Sequence, residues 1–418
     1  MKKLIVVFIT IFSITTYSQD NVINESAVEL SRVLGKEIFE LNGVPFSQPI
    51  VTATNATANS GFFNTAFIPR KDSLYFKVSV NYMNGFVPEA DKSYSPSFPT
   101  EQFNIIEASK YVSFGGGQFN VTDTVGLYTY LLKTLLYDGI ADGSIVVPER
   151  TATLLGKDNK NIEITKDSFR KNAEKRISGL EALTNSKLSQ ELKDEIYKTL
   201  DGLPGSFDLP KGSGMNTMQF AVPQIEIGSY MGTELLLRFI PKINYGETIG
   251  DFGFFGVGLK HSISQYFFDF DQERTFDLAV QFAYQQSTLD NIFGETNAQL
   301  TSNANILNFN IQGSKNIEDI VDVYTGISFE QIDIVADFVY TLPIATQVEL
   351  KLVDENKQVD PARGYPGDTK PQTTSLTVDD FNIKWVIGVK KDFGPLAIFA
   401  SYNVSKFDIF NGGLQYSF

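Results

Sequence analysis

The chain has no cysteine and one histidine, His261, among 418 residues. Without cysteine there is no disulfide framework and no thiolate metal site. One histidine excludes multi-histidine metal sites and leaves a Ser-His-acid triad a single possible base. No segment beyond the first residues has 18 consecutive apolar positions, so no helix of the mature chain can span a bilayer. Positive charge is also scarce. Against 49 acidic residues stand 35 basic ones, a formal net charge of −14. A nucleic-acid partner, which needs a concentrated basic footprint, is therefore not expected.

What is present begins with Met1-Lys2-Lys3 and the apolar run Leu4 to Ile14. A basic start, a short apolar stretch and small residues at Thr16 and Ser18 make a secretory signal peptide over 1–18, cleaved near Ser18. Removing it takes away two lysines, so the mature net charge is 33 minus 49, or −16. Phe and Tyr are abundant, at 35 and 18. Export, the lack of a spanning helix and many aromatic, alternating runs together predict an all-β, transmembrane antiparallel β-barrel in the outer membrane. A soluble periplasmic β-sandwich is the bland alternative.

Along the mature chain, residues 19–58 come first. Leu30, Leu34, Ile38 and Phe39 recur at helical spacing within 26–40, and Pro45 and Pro49 should end that helix and force an extended path. This segment either plugs the barrel or caps its periplasmic end. The barrel is assigned to 59–418. In Leu74 to Tyr82 the residues Leu74, Phe76, Val78, Val80 and Tyr82 share one face while Lys77, Ser79 and Asn81 share the other. Similar runs lie at about 101–113, 217–228, 232–243, 251–263, 275–287, 303–313, 320–330, 333–352, 380–391, 395–404 and 408–418. They predict 12–14 strands, with 14 favoured because single-chain bacterial barrels are even-numbered. A charge on the lipid face costs about 2–4 kcal/mol at the bilayer midplane, so Arg238, Lys242 and Asp277 should face the lumen or a rim.

Between about 120 and 215 the alternation stops. Val125 to Tyr137 is apolar almost all round, and Leu131, Leu132, Leu135 and Leu136 are candidates for contact with a hydrophobic ligand. Two amphipathic helices follow, on Phe169, Ala173, Ile177 and Leu180, then on Leu188, Leu192, Ile196 and Leu200. Barrels keep periplasmic turns short, so 120–215 and the Pro- and Gly-rich loop at 353–379 should be extracellular. Chemistry is poorly marked. Asp269, Asp271 and Glu273 read as an aromatic turn rather than a calcium loop, and nothing marks a serine that His261 would activate. Trp385 shares a face with Ile383, Ile387 and Val389 and should meet lipid. No cofactor and no metal is expected.

Asn59-Ser60-Gly61-Phe62-Phe63-Asn64-Thr65-Ala66 resembles the opening motif of a domain family of unknown function, made of exported proteins common in Bacteroidota. Val222 to Gly228, Gly232 to Pro241 and Gly256 to His261 resemble its central signature. The layout is also similar to FadL-type barrels, which have an N-terminal plug, about 14 strands and helical extracellular loops. That resemblance implies passive uptake of a hydrophobic small molecule through a plugged lumen. The alternative is a structural or surface-interaction protein whose large loop binds a partner or glycan. An enzyme acting on lipid through His261 is the third reading. The last strand closes on Phe418 and resembles the signal read by the barrel-assembly machinery. It sets the C-terminus on the periplasmic side, with outer-membrane lipid as the surrounding partner.

Overall fold

The computed structural model describes residues 21–68, 74–100, 103–115, 118–157, 160–184, 187–188, 190, 193–194, 196–197, 200, 205–209, 212–245, 250–267, 276–293, 298–318, 320–340 and 371–418. The predicted signal peptide at 1–18, the carboxylates Asp269, Asp271 and Glu273, and most of the loop at 353–379 lie outside the described residues.

Ten antiparallel strands form a closed barrel. They are β1 (Tyr75–Phe86), β2 (Thr217–Tyr230), β3 (Thr233–Asn244), β4 (Asp251–Ser262), β5 (Asp277–Phe293), β6 (Ala298–Ile317), β7 (Val321–Tyr340), β8 (Gln372–Phe393), β9 (Leu396–Val404) and β10 (Ile409–Ser417). Each pairs with its sequence neighbour, and β1 closes the ring by pairing with both β10 and β2. The expectation of 12–14 strands is thus corrected to ten, for two reasons. The run at 101–113 is not a wall strand but a turn of helix at Ile105–Ala108 followed by a short strand at Val112–Gly115. The run at 320–330 and the described part of the run at 333–352 lie on one continuous strand, β7.

Three long helices accompany the barrel among the described residues: α1 (Asn21–Ala58), α2 (Thr124–Ala141) and α3 (Lys166–Thr184). Contrary to the expected break, α1 continues through Pro45 and Pro49. An interior proline costs a helix about 3 kcal/mol. Here contacts on the helix flanks hold it in register: the Leu154 amide donates to the Phe46 carbonyl at 2.9 Å, and Phe46 meets Tyr94 edge-on.

The barrel has two unlike ends. At one end strands reverse tightly, at Met231-Gly232 and Gly394-Pro395, and the C-terminus lies there too, the Phe418 amide bonded to the Phe76 carbonyl at 2.9 Å. Gly394 adopts φ +67°, a left-handed conformation that glycine takes without strain. The opposite end carries the long excursions, above all residues 87–216 between β1 and β2. That insertion is wider than the predicted 120–215. It has its own apolar core, built by α2, α3 and short strand pairs.

The wall changes polarity along its length at one level. On β6, β7 and β8 the outward set Ile311, Phe309, Leu307; Ile327, Phe329; and Trp385, Ile383, Phe381 is apolar and exposed. On β7 the switch begins with Gln331, level with Leu307 and Phe381; the next outward residues in register are Asn305, Asp333 and Asp379, followed by Asn303, Val335 and Thr377. The inward set switches the opposite way. Asn308, Glu330 and Asn382 are level with one another, while Ala304, Ile334 and Val378 lie beyond them toward the long-loop end. A strand that is apolar outside and polar inside is facing lipid; one that is polar outside and apolar inside is facing water and packing on a core. Along β8 the apolar exterior runs from Phe381 to Val389. At about 3.3 Å per residue and a tilt near 40°, the eight steps from 381 to 389 rise roughly 20 Å, close to the roughly 25 Å apolar band of a membrane barrel. Beyond that band β5–β8 project as a sheet whose inner face carries Leu376, Val378, Ile334 and Phe338, packed on Phe39, Ile50 and Val51 of α1.

Candidate functional site in the barrel lumen

A ten-stranded barrel is narrow, and the sequence that enters it is small and polar: Thr52-Ala53-Thr54-Asn55-Ala56-Thr57-Ala58-Asn59-Ser60. Ala53 and Ala56 are fully buried, so the helix end fits where larger side chains would not. The last carbonyls of a helix have no partner within it and form the negative pole of its dipole. Two buried cations meet them. Arg238 of β3 donates from Nη1 to the Ala58 carbonyl at 2.8 Å and from Nη2 to the Ser60 carbonyl at 2.7 Å. Its guanidinium also lies 3.8 Å from the centre of the Phe62 ring. Lys384 of β8 donates from Nζ to the carbonyls of Ala56 and Asn59, at 3.1 and 3.0 Å, and to Ser60 Oγ at 3.0 Å. Lys384 is balanced by Glu330 of β7 at 2.6 Å.

Higher on the helix, Asp380 accepts from Thr52 Oγ1 at 3.1 Å and from Asn55 Nδ2 at 2.9 Å. Below the helix end, the network continues along the wall. Arg238 Nε donates to Gln224 at 2.9 Å, and Gln224 donates to Glu226 at 2.7 Å. Lys77 lies 3.4 Å from Glu226 and 2.9 Å from Glu234. Glu234 also takes Lys260 at 2.6 Å and the Tyr75 hydroxyl at 2.6 Å. Unpaired charges in such an interior would cost several kcal/mol each, and here they are paired or bonded.

The chain then descends from the helix as Gly61 to Ala66. Gly61 has φ +69°, and a Cβ there would come within 2.8 Å of Asn81 Oδ1 and 3.0 Å of Asn411 Oδ1, so only glycine fits. Phe63 packs edge-on to Tyr324 of β7, and the Ala66 amide donates to Ser314 Oγ at 2.9 Å. Across the described residues, the interior is thus occupied by the segment 51–66 and by wall side chains bonded to it.

A domain-family model described as a family of unknown function (DUF6588) matches residues 1–418. The chain belongs to this family. The motifs that carried the family resemblance in the sequence converge on the lumen: the Asn59–Ala66 stretch is the descending segment, and the central signature supplies Gln224, Glu226, Glu234, Arg238 and Lys260. No curated protein matches. Among solved structures, the attachment invasion locus protein Ail of Yersinia pestis is similar at 12% identity, over 44% of this chain and 95% of that one, with a TM-score of 0.21. The translocator domain of the autotransporter NalP from Neisseria meningitidis is similar at 8% identity, over 88% and 94%, with a TM-score of 0.22. OccAB4 of Acinetobacter baumannii is similar at 9%, over 84% and 100%, with a TM-score of 0.16. These values carry no functional argument for the DUF6588 chain.

The predicted site residues separate. Arg238 is fully buried inside the wall. Lys242 is not: the pairing of β3 with β4 shifts register between Ile240 and Ile243, which turns Lys242 out to a half-exposed position beside Asp290. Asp277 is buried on the inward face of β5. Ile38 is buried and Phe39 half-buried, the latter against Phe338 of the projecting sheet rather than in the lumen. The side chains of Leu30 and Leu34 lie outside the described residues. Leu131, Leu132, Leu135 and Leu136 are buried together with Phe169, Ile177, Ile196 and Leu200 inside the insertion. They are the core of a folded layer, so they offer no surface to a ligand. His261 bonds Thr233 Oγ1 at 2.8 Å and the Tyr266 hydroxyl at 2.9 Å, with no carboxylate among those partners. Trp385 points outward, its Nε1 donating to Thr325 at 2.9 Å.

Sequence reasoning assigned no role to Glu226, Glu234, Lys260, Glu330 or Lys384. The signal was available: each is a charge at an inward position of a strand whose outward positions are apolar.

Proposed function

We propose that this protein is an outer-membrane barrel held shut by its own N-terminal segment, which displays the folded insertion 87–216 on the cell surface as a structural or interaction platform. The observation that carries this reading is the clamp of Arg238 and Lys384 on the carbonyl end of α1. A freely exchanging plug would not be expected to bury charged partners that only its own carbonyls complete. The long excursions lie at the end opposite the C-terminus, and barrels of this kind put such loops outside the cell. Uptake of a hydrophobic compound, the reading drawn from the FadL resemblance, has less support. The about 14 strands on which that likeness leaned are ten, and the leucines of 131–136 are spent on an internal core.

Liposome swelling tests the proposal. Purified protein at high density should leave vesicles as impermeant to small sugars as empty ones. Rapid swelling in arabinose or glucose would overturn the closed-lumen reading.

A further inference from the structure

The direction in which the N-terminal segment fills the barrel has a topological consequence. The carbonyl end of α1 lies among Arg238, Lys384 and Asn403 within the lipid-band part of the wall. The middle of the same helix meets features of the long-loop end. Glu37 pairs with Lys133 of α2 at 2.9 Å and accepts from the Tyr137 hydroxyl. Asn42 exchanges two hydrogen bonds with Ser97 of the insertion, at 2.6 and 2.8 Å. Phe46 meets Tyr94, and Phe39 meets Phe338 on the projecting sheet. After the helix, Ala66 is bonded to Ser314, which pairs in register with Asp277 near the tight-turn end, and β1 then starts there beside Gly228. The chain therefore runs through the lumen from the long-loop end to the tight-turn end before its first strand begins.

We infer that the barrel is threaded by its own N-terminus: the mature N-terminal end is carried through the wall and displayed outside the cell, above the insertion. The inference rests on the sidedness adopted for the proposed function. A helix rises about 1.5 Å per residue, so the part of α1 before Glu37 reaches roughly 24 Å farther than the Glu37–Lys133 contact. That places residues 21–36 where a macromolecule outside the cell meets them first. They form, with the insertion, a composite outer surface, and any sequence appended at the mature N-terminus is displayed on the cell.

The absence of native cysteine makes the test clean. Single variants Asn24→Cys, Glu149→Cys in the insertion and Asp392→Cys beside the tight turn are treated with a membrane-impermeant maleimide on intact cells and after permeabilisation. Barrel folding is followed by heat-modifiable migration in detergent gels. Asn24→Cys and Glu149→Cys are expected to react on intact cells, and Asp392→Cys only after permeabilisation. Asn24→Cys unreactive on cells whose Glu149→Cys reacts overturns the threading while leaving the sidedness intact. Asp392→Cys reacting on intact cells while Glu149→Cys is silent overturns the sidedness itself. As a second measurement, Glu37→Cys with Lys133→Cys should form a disulfide on mild oxidation. Failure of that pair to cross-link in folded protein removes the helix–insertion contact from which the direction was read.

Discussion

Replacing Arg238 by alanine should loosen the N-terminal segment without dismantling the wall. Arg238 gives α1 two charge-assisted hydrogen bonds, to Ala58 and Ser60, and a ring contact with Phe62. Hydrogen bonds to a charged group contribute about 1.5–3 kcal/mol each, and a desolvated cation–ring contact about 2 kcal/mol. The low ends add to about 5 kcal/mol. Water entering the vacated space returns part of that, so a net loss of about 3–4 kcal/mol is the working figure. At 1.4 kcal/mol per factor of ten, the closed-to-open ratio falls by roughly 100- to 1000-fold. The strand ladder itself is untouched, since Arg238 contributes to it through its backbone. In planar bilayers the wild type should be electrically quiet, and Arg238→Ala should show frequent openings. Arg238→Lys should fall between them, because an ammonium keeps the charge but lacks the fork that spans two carbonyls. An Arg238→Ala barrel that migrates as folded yet is as quiet as the wild type would refute the clamp.

Three further outcomes follow from other parts of the molecule. Leu132→Ala should cost about 2–5 kcal/mol through the cavity it leaves in the insertion core, read as protease sensitivity of 87–216 on intact cells with the barrel still heat-modifiable; a protease-resistant variant with altered uptake of an apolar probe would instead favour a ligand role. Ile383→Arg should lower folding yield into vesicles by about 2–4 kcal/mol, whereas Thr377→Arg, above the polarity switch on the same face of the same strand, should be close to neutral; equal damage from both would misplace the membrane edge. Burial lifts the Asp138 carboxyl above the ordinary carboxylate range, against the opposing pull of Arg176 at 2.8 Å. The folded form then binds the proton more tightly than the unfolded one, so this group's contribution to stability falls as pH rises through the interval above the ordinary value. Asp138→Asn should flatten that slope and give a small gain in thermal stability near pH 7. A variant whose insertion loses stability faster than the wild type on raising pH from 5 to 7 would contradict the sign.

The barrel class was legible because alternation is a local signal: Phe76, Val78, Val80 and Tyr82 announce β1 without reference to any other strand. Strand number was less legible, because register and continuity are not local. Nothing in the composition of 101–113 tells a wall strand from a piece of the insertion. The polar stretch between the two halves of β7 is a change of environment rather than a turn. Proline misled in α1 for a similar reason. Pro45 and Pro49 carry a local penalty that contacts with the barrel and insertion outweigh. The stretch around the leucines of 131–136 reads as apolar almost all round, a pattern that fits a buried helix as well as a greasy groove. Only their neighbours, Phe169 and Ile196, decide between the two.

The charged lumen raises the question of why a closed barrel is not simply filled with hydrocarbon. Buried ion pairs add little net stability, since desolvation offsets their attraction. Their value here lies in register. A strand with apolar residues on both faces would sit in the wall equally well after slipping by one position, because side chains alternate with a period of two. In this barrel a slip of β2, β3, β4, β7 or β8 would carry Glu226, Glu234, Arg238, Lys260, Glu330 or Lys384 onto the lipid face. Such a charge costs about 2–4 kcal/mol near the midplane, and the partner left behind loses its pairing as well. The same charges then choose what enters the lumen. Only a segment that ends in free carbonyls at the right depth completes Arg238 and Lys384, and the carbonyl end of α1 does so. The network that fixes the wall is thus also the socket that fixes the helix, and for that reason the lumen residues and the Asn59–Ala66 stretch act as one unit despite lying far apart in the sequence.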